Sequence, residues 1–351
     1  MLNKPVIIIN QKISIYLRIF LIILILLLTL LSLGAYLLLE TKKMAMLNTY
    51  QVELKNTDLL TEAQITPFPI SIDPNQKKIT QDENTEFEVE LFANTYLSLN
   101  KRDRWFDKAV GFLSKNHWFQ NLATPSTRIV VIFAGERKEQ IANNIGNVLR
   151  WTEEERDQFK TEITKRSPSF PEGTFFPGRY VVPVDAGPVY VANIINNRFQ
   201  RSVLLRYPNE IETIVPLIDT LTFASLLERE AYDFYEKRII SGIMWNRMFI
   251  DMKLQIDATL QYSKANKNSY NSNWWPVPRP EDKFINSPFN TYKHYGLPPS
   301  PIANPSISSI LATLNPTQTD CIFYFHDRNG GFHCSKTYDE HIQGIRIHYG
   351  N

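Results

Sequence analysis

The sequence has few of the residues that cross-link a small fold or bind a metal. Only two of its 351 residues are cysteines, Cys321 and Cys334, which excludes a framework of several disulfides and a zinc site built from cysteines. The six histidines show no HExxH-type spacing, the pattern of helical zinc proteases. We therefore predict no bound metal and no cofactor.

The sequence also lacks an excess of charge of either sign. It has 38 basic and 36 acidic residues, a formal net charge of +2. A nucleic-acid-binding protein would need a concentrated basic face, so we expect no nucleic-acid partner. The 21 prolines and 12% aromatic residues are typical of a folded chain with rigid loops, long enough for two or three domains.

One long apolar run is present near the N-terminus. Residues 19–39 are uncharged and mostly aliphatic, and as a helix they would span about 32 Å, the thickness of one bilayer core. A cleaved signal peptide normally has a shorter apolar region of about 7–15 residues. We predict a retained transmembrane helix. Three basic residues precede the run, against two basic and one acidic after it, which favours a cytoplasmic segment at residues 1–18.

The stretch after this run is polar and irregular. Residues 40–84 carry Pro, Asn and Asp with little periodicity, which predicts a juxtamembrane stalk. From Glu86 the letters EFEVELFA alternate between polar and apolar, which predicts a strand, and RWFDKAVGFLSKNHWF predicts an amphipathic helix.

A small α+β module is predicted next. The pattern indicates a strand at Arg128–Phe133, a turn, a helix from about Lys138, and a second helix begun by Thr152 with Glu155 in a capping box. Such a module either has a function of its own or acts as a spacer that sets the height of the following domain.

The second half of the chain alternates helices, stiff loops and a hairpin. The pattern first predicts a Pro/Gly/aromatic loop and strand (171–183), helices (184–218) and a helix that runs from residue 221 toward Arg238. A helix with Asn246 and Arg247 follows, and then an extended segment with Gln255, Asp257 and Thr259. The rest is predicted as a tryptophan-bearing insertion (263–286), a proline-stiffened loop (297–306), a helix (307–314) and two aromatic strands.

The two aromatic strands meet at an Asn-Gly pair, the strongest short hairpin signal. If the turn centres on Asn329–Gly330, Phe325 faces Cys334, and Cys321 is about four residues out of register with it. That separation is too large for a disulfide. We predict two unpaired thiols packed as small hydrophobic groups.

The helix at Leu221–Glu230 sets two carboxylates into an apolar segment. At roughly 100° per residue, Glu230 shares a face with Phe223 and Leu227, while Glu228 lies roughly 200° away from it. The two carboxylates cannot point into one pocket. Burial would raise the pKa of Glu230, as a general acid near neutral pH requires. The alternative is an ordinary amphipathic helix with solvated ion pairs.

Five motifs in one order then point to a family. They are LTFASLLEREA, WNRM, MKLQIDATLQY, SPFNTYKHYGLPPSPIANPS and FYFHDRNGGFH. Together they resemble the YceG-like (MltG) family of membrane-anchored endolytic murein transglycosylases. Further upstream, RIVVIFAGERKEQIANNI resembles the LysM-like segment of that family, and PEGTFFPGRY resembles its EG-x-x-FPDTY turn.

The resemblance implies an α+β chain in five parts: a cytoplasmic N-terminus (1–18), a single N-terminal transmembrane helix (19–39), a stalk (40–84), a LysM-like α+β region (85–207) and a mixed α/β catalytic domain of the YceG-like type (208–351). It also implies cleavage of the MurNAc–GlcNAc β-1,4 bond of nascent glycan strands, which forms 1,6-anhydroMurNAc ends and terminates strand elongation. The enzyme would be single-pass in the inner membrane with its catalytic domain periplasmic. Peptidoglycan synthases would be its partners. The rival hypothesis is a non-catalytic peptidoglycan-binding scaffold of the wall-synthesis machinery.

The same resemblance implies site residues. Lytic transglycosylation needs one carboxyl group that acts as acid and then as base; we assign Glu230, with Glu228 as the second choice. Asp257 either orients Arg247 or caps a turn, and His333 either packs the hairpin or contacts substrate. The tryptophans Trp274 and Trp275 are expected as exposed rings near the groove or at an interface with a synthase. The full set of expected substrate-binding residues is Asn246, Arg247, Gln255, Asp257, Thr259, Asn290, Thr291, Tyr292 and His333.

Overall fold

The computed structural model describes residues 20–44, 65–97, 101–114, 116, 119, 126–166, 169–267 and 273–350, with backbone alone at 101–107 and 267. The predicted cytoplasmic segment and the first part of the predicted stalk lie outside the described residues.

The helices are α1 (Phe20–Met44), α2 (Glu83–Tyr96), α3 (Lys101–Ser114), α4 (Lys138–Leu149), α5 (Glu153–Thr164), α6 (Pro188–Ser202), α7 (Asn209–Ile214), α8 (Leu217–Glu230), α9 (Phe234–Phe249), α10 (Asp257–Lys267), α11 (Ile307–Leu314) and α12 (Tyr338–Tyr349). Within the described residues, three antiparallel pairs of strands accompany them: β1 (Ile72–Asp73) with β2 (Lys78–Ile79), β3 (Thr127–Ile132) with β4 (Gly178–Pro183), and β5 (Phe323–His326) with β6 (Phe332–Ser335).

Helix α1 contains the apolar run near the N-terminus. It has 25 residues and is long and apolar enough to cross a membrane. A helix of this kind is compatible with a single-pass membrane anchor.

Helix α2 replaces the strand predicted from Glu86, so that prediction is wrong. Asp82 caps the helix by accepting a hydrogen bond from the Thr85 amide at 3.0 Å. The buried side chains Val89, Phe92 and Ala93 lie three and four residues apart, which places them on one helical face. Over a stretch of only eight residues, a polar/apolar alternation does not distinguish a strand from a helix with this spacing.

The part of the predicted stalk that is described packs against the helices of the second half of the chain. Phe68 and Ile72 are buried in the main core. The Ser71 amide donates to the Leu314 carbonyl at 2.9 Å, and the Asn315 side chain donates to the Pro69 carbonyl at 2.7 Å. Residues 65–82, called the strap below, are thus bonded to the C-terminal end of α11.

The α+β module upstream matches its prediction element by element. Strand β3 pairs with β4 from Thr127 opposite Pro183 to Ile132 opposite Gly178. Helix α5 starts with the predicted capping box, in which Thr152 and Glu155 exchange hydrogen bonds. One continuous hydrophobic core nevertheless joins this module to the downstream helices.

Helix α8 lies at the centre of that core. Its side chains are buried at nearly every position from Leu217 to Leu227, and Phe223 stacks on Trp245 of α9 at 4.6 Å between ring centroids. The helix ends at Glu230 and does not run on toward Arg238 as predicted, because Ala231 adopts an extended backbone. Asp233 then caps α9. Glu230 is therefore the last residue of a helix that is otherwise largely buried.

The hairpin differs from the prediction in its register and in its cysteines. Tyr324, not Phe325, lies opposite Cys334. The prediction of two unpaired thiols is wrong, because Cys321 and Cys334 form a disulfide with their Cα atoms 5.8 Å apart. The predicted register would hold only if the strand ran straight back to Cys321. In the structure Phe323 is paired with Ser335, and the amide of the preceding residue, Ile322, donates to the same Ser335 carbonyl. Two residues thus lie opposite one, and this bulge brings Cys321 toward Cys334.

Candidate active site

An open cavity of about 520 Å³ lies at the C-terminal end of α8. It is lined by Glu230, Arg247, Leu254, Gln255, Asp257, Lys283, Tyr292, Tyr324, Tyr338 and His341. These residues come from α8, α9, the chain after α9, α10, the insertion, the segment between the insertion and the proline-stiffened loop, the hairpin and α12. The cavity is thus the place where the predicted motifs meet.

Glu230 is the partly buried carboxyl group of this cavity. Its Oε2 accepts a hydrogen bond from the Tyr324 hydroxyl at 2.7 Å. Burial is the main cause that raises the pKa of Glu230, and the negative charge of Asp257 adds to it. The hydrogen bond from Tyr324 and the positive charge of Arg229 oppose the shift without cancelling it. A raised pKa keeps more of this carboxyl group protonated near neutral pH.

Tyr324 is a donor to this carboxyl group. Burial and the neighbouring Glu230 raise the pKa of Tyr324 well above its usual range, so its phenol stays protonated. A protonated phenol can hold Glu230 in one orientation whether the carboxyl group carries its proton or not.

Arg247 supplies buried positive charge to the cavity wall. Its Nε donates to the Ile322 carbonyl and its Nη1 to the Leu254 carbonyl, both at 2.6 Å. These bonds fasten the start of the hairpin to the segment after α9. Arg247 therefore shapes the cavity as well as charging it.

Asp257 and Tyr292 form a hydrogen-bonded pair across the cavity. The Tyr292 hydroxyl donates to Asp257 Oδ1 at 2.7 Å. Asp257 is the first residue of α10, so the prediction that an extended segment carries Asp257 and Thr259 is wrong beyond residue 256. Gln255 precedes it in the left-handed backbone region with φ 53°, its amide bonded to the Thr291 carbonyl at 3.1 Å.

Glu228 points away from the cavity into a polar site of its own. Its Oε1 accepts from the Lys237 ammonium at 3.0 Å, and its Oε2 accepts from the Ser306 amide and hydroxyl and from the Ser309 hydroxyl at 2.5–2.9 Å. Burial acts to raise the pKa of Glu228, but Lys237 and the serine hydrogen bonds outweigh it and lower the pKa below its ordinary value. The two glutamates therefore occupy separate environments with opposite pKa shifts.

Four other expected site residues support the cavity from behind. Asn246 donates its amide to the carbonyls of residues 319 and 321. Asn290 is fully buried and donates to the carbonyls of residues 283 and 285. The hydroxyls of Thr259 and Thr291 are 3.0 Å apart, and Thr291 also accepts from the residue 256 amide at 2.9 Å. These four side chains hold the backbone of the loops that line the cavity.

His333 lies on the opposite face of the hairpin from Tyr324. Its ring stacks on Phe325 at 5.1 Å, and its Nε2 is 2.8 Å from Asp327 Oδ2. The structure does not bring His333 into the cavity.

Several cavity residues were missed by the sequence analysis. Tyr324, Tyr338, His341 and Lys283 all line it. For Tyr324 a signal was present, because alternation along a hairpin strand places every second side chain on one face. Lys283 lies in the insertion, and Tyr338 and His341 lie in a C-terminal helix for which no motif was recognised.

The tryptophans of the insertion are partly buried and bind within the chain. The Arg229 guanidinium lies 4.0 Å from the centre of the Trp275 ring, and the Trp275 indole donates to the Gln140 side chain at 3.0 Å. The Arg137 guanidinium lies 5.3 Å from the centre of the Trp274 ring. The insertion thus links the α+β module to the helix that carries Glu230.

Comparisons with known proteins identify the family of the chain. A family model described as the YceG-like family matches residues 108–346. An endolytic murein transglycosylase of Bacillus subtilis (strain 168) is 34% identical over 173 residues, 48% of this chain and 46% of that protein. One of Streptococcus pneumoniae (strain R6) is 26% identical over 178 residues, 50% of this chain and 32% of that protein. The chain thus matches less than half the length of these curated relatives. The crystal structure of a YceG-like protein from Listeria monocytogenes has a TM-score of 0.53 at 20% identity, covering 73% of this chain and 94% of that one, which shows a shared fold.

Proposed function

Since the chain belongs to the YceG-like family, we propose that it is a membrane-anchored lytic transglycosylase that cuts murein glycan strands internally. The bond cleaved is the MurNAc–GlcNAc β-1,4 bond, and the product carries a 1,6-anhydroMurNAc end. The observation that carries the proposal is Glu230, a carboxyl group of raised pKa at the end of a buried helix in an open cavity. The names of the relatives support the substrate class.

One carboxyl group is sufficient for this reaction. The proton of Glu230 passes to the glycosidic oxygen while the bond between that oxygen and C1 of MurNAc breaks. The C6 hydroxyl oxygen of the same sugar bonds to C1, and its proton passes to the Glu230 carboxylate. Water takes no part, so no second carboxylate is needed to activate it, in contrast to hydrolytic glycosidases.

The neighbours of Glu230 have supporting roles in this proposal. Tyr324 orients the carboxyl group, and the negative charge of Asp257 helps to keep it protonated before the reaction. Arg247 offers positive charge to the lactyl carboxylate of MurNAc, and Tyr292 a flat face to a sugar ring. Asn246, Asn290, Thr259 and Thr291 act through the loops that they hold, while Gln255 lines the substrate path.

The membrane placement belongs to the same proposal. Helix α1 spans the inner membrane with residues 1–18 in the cytoplasm, and the catalytic domain lies outside that membrane, where it reaches nascent strands leaving a peptidoglycan synthase. The disulfide between Cys321 and Cys334 supports an oxidising compartment for this domain. The module at residues 85–207 is proposed as a LysM-like region that positions or binds glycan.

Digestion of uncross-linked glycan strands by the full-length chain in detergent micelles tests the reaction. Mass spectrometry should find 1,6-anhydroMurNAc ends from internal cuts. Glu230→Gln keeps the size of the side chain but removes the transferable proton, so its rate should fall by on the order of 10²–10⁴-fold or more. Its thermal midpoint should be unchanged or higher, because a neutral amide is less costly to bury than a carboxylate.

Three outcomes would contradict parts of this proposal. Reducing MurNAc ends without anhydro ends would mean hydrolysis. Glycan binding without cleavage by both wild type and Glu230→Gln would favour the alternative, a non-catalytic scaffold of the wall-synthesis machinery. Full activity in Glu230→Gln beside an inactive but folded Glu228→Gln would move the acid to Glu228.

A further inference from the structure

A second cluster of reactive side chains lies on the far face of the hairpin from the cavity. Asp327 Oδ2 is 2.8 Å from His333 Nε2 and 3.8 Å from His348 Nδ1. The three ligand atoms all lie within 4.8 Å of one another. Nothing in the proposed reaction uses this cluster.

We propose that Asp327, His333 and His348 form a zinc-binding site that clamps the C-terminal helix α12 to the β5–β6 hairpin. Zinc bonds to imidazole nitrogen and carboxylate oxygen at about 2.0–2.2 Å, so tetrahedral ligand atoms stand roughly 3.4 Å apart. The observed separations of 2.8 and 3.8 Å bracket that value. Two imidazoles and one carboxylate suit zinc, whereas magnesium and calcium prefer oxygen ligands alone.

Asp327 is held in the orientation that such a ligand needs. Its Oδ1 accepts from the amides of Asn329 and Gly331, both at 2.8 Å, which leaves Oδ2 directed at the two imidazoles. Gly331 makes this approach possible, since a Cβ atom there would lie only 2.5 Å from Asp327 Oδ2. Outer hydrogen bonds that fix a ligating carboxylate are typical of metal sites.

The imidazoles are presented from two elements. His333 lies on β6 with its ring stacked on Phe325, and His348 lies in the last turn of α12 with its ring 4.0 Å from that of His333. His348 is exposed and can adjust its ring by the fraction of an ångström that a metal bond requires. Two rings and a carboxylate on one side also leave the fourth zinc position open to water.

Helix α12 needs a clamp of this kind. None of its residues is buried, so it gains little from hydrophobic packing. Its far end touches the hairpin through the rings of His348 and Tyr349, which lie against Phe325, and through a hydrogen bond of 2.7 Å from the Arg328 guanidinium to the Tyr349 carbonyl. Tyr338 and His341, at the N-terminal end of α12, line the cavity. Zinc at the far end would therefore stabilise one wall of the cavity.

The spacing of the three ligands along the chain explains why the sequence predicts no metal site. Asp327 and His333 are separated by six residues, and His348 follows after fifteen more, on a turn, a strand and a helix. No single-element motif such as HExxH contains them. Only the packing of α12 on the hairpin brings the ligands together.

Zinc binding by the full-length chain, purified in detergent with its affinity tag removed, tests the proposal. Competition with a chromophoric zinc chelator should show one zinc ion per chain. His348→Ala should weaken zinc binding by roughly tenfold or more, because it removes one of three ligands from an exposed position. His294→Ala removes an exposed histidine outside the cluster and should leave zinc binding unchanged.

Thermal unfolding gives a second readout. Zinc chloride should raise the thermal midpoint of wild type and of His294→Ala by a few degrees, and that of His348→Ala by much less; magnesium chloride should have no such effect. Asp327→Asn should behave like His348→Ala. Failure of wild type to bind zinc, or equal affinity in wild type and His348→Ala, would overturn the proposal. Neither result bears on glycan cleavage, so the site and the proposed function stand or fall separately.

Discussion

Glu228 and Glu230 are two residues apart on α8, yet the protein treats their charges in opposite ways. Glu228 meets an ammonium group and three hydrogen-bond donors, which favours its carboxylate. Glu230 is buried beside the negative charge of Asp257, which disfavours its carboxylate, and the single hydrogen bond from Tyr324 does not cancel this effect. Pairs of carboxyl groups whose environments separate their pKa values are a frequent basis for acid–base assignment. We therefore assign the structural ion pair to Glu228 and the proton of the proposed reaction to Glu230.

Replacement of Glu228 by Gln should reduce stability rather than chemistry. It leaves the Lys237 ammonium, whose side chain is 3% exposed, without its counter-charge, at a cost on the order of 3 kcal/mol. Because the folded-state pKa of Glu228 is lowered, its stabilisation is present above about pH 4.5 and is lost as pH falls through the folded-state pKa. Thermal unfolding should therefore show a large deficit for the variant at pH 7 and a smaller one near pH 4. A pH-independent deficit would contradict this.

Glu172 is a second buried glutamate whose pKa is shifted in the opposite direction from that of Glu228. It is fully buried and accepts from the Lys138 amide at 3.1 Å and from the Asn304 side chain at 3.2 Å. Burial, helped by Glu139, raises its pKa to about 8 against the ordinary 4.5. Its contribution to stability is fully present below about pH 4.5 and is lost as pH rises through about 8.

Glu172→Gln should consequently be most harmful in acid. At pH 5 the variant replaces a neutral carboxyl group by a neutral amide, whose NH₂ group takes the place of one oxygen, so a hydrogen bond from Lys138 or from Asn304 is weakened at a cost of about 1 kcal/mol. By pH 8.5 the wild type must bury a carboxylate and the variant an amide, so the difference should vanish or change sign. Thermal midpoints of both proteins from pH 5 to 8.5 measure this. A deficit that grows with pH would show that Glu172 is stabilised as a carboxylate.

At the scale of elements, the disulfide determines where the hairpin begins. It closes a loop with a sequence separation of 13, for which loop entropy predicts a stabilisation of about 3 kcal/mol. The same hairpin carries Tyr324, which bonds Glu230. Replacement of Cys321 and Cys334 by Ala should lower the thermal midpoint and, through Tyr324, the rate of glycan cleavage.

Reducing agent provides the control for that pair of substitutions. It should lower the thermal midpoint of the wild type toward that of the double variant and leave the variant itself unchanged. A wild type that does not respond to reductant, or a variant as stable as the oxidised wild type, would argue against a contribution of the disulfide.

The elements also show which parts of the fold can be predicted from the sequence. Helix α8, the Thr152 capping box and helix α11 follow from local signals, and the structure has them. The segment from Glu86 was predicted as a strand from the alternation of eight residues alone, whereas the capping residue Asp82 marks the start of a helix. The disulfide and the cavity roles of Tyr338 and His341 depend on a bulge and on long-range packing, which periodicity does not encode.

For the whole molecule, the strap, the α+β module and the catalytic helices share one core, so the domain boundary predicted at residue 207 does not separate two cores. The insertion strengthens this union through the contacts of Trp275 with Arg229 and Gln140. Arg229 lies between the two glutamates of α8. A change in the upstream module therefore has a short physical route to the catalytic helix.

The proposed anchoring makes a prediction about the molecule as a whole. Leu27 and Leu31 lie exposed on α1, where lipid would surround them. Two arginines at these positions would cost about 2.5–3.5 kcal/mol each at the centre of a span. The variant Leu27→Arg/Leu31→Arg should be lost from membranes washed with alkaline carbonate, whereas Leu27→Ala/Leu31→Ala should remain.

The same variants connect anchoring to substrate. Released chain should still cleave soluble glycan strands, because α1 contributes no residue to the cavity. Its rate on lipid-linked strands in vesicles should fall, since the membrane no longer concentrates enzyme and substrate on one surface. An epitope at the C-terminus should be accessible outside the inner membrane in wild type, as the excess of basic residues before α1 predicts. Equal rates on lipid-linked strands for the released arginine variant and the membrane-bound alanine variant would show that the helix does not serve to bring the enzyme to nascent glycan.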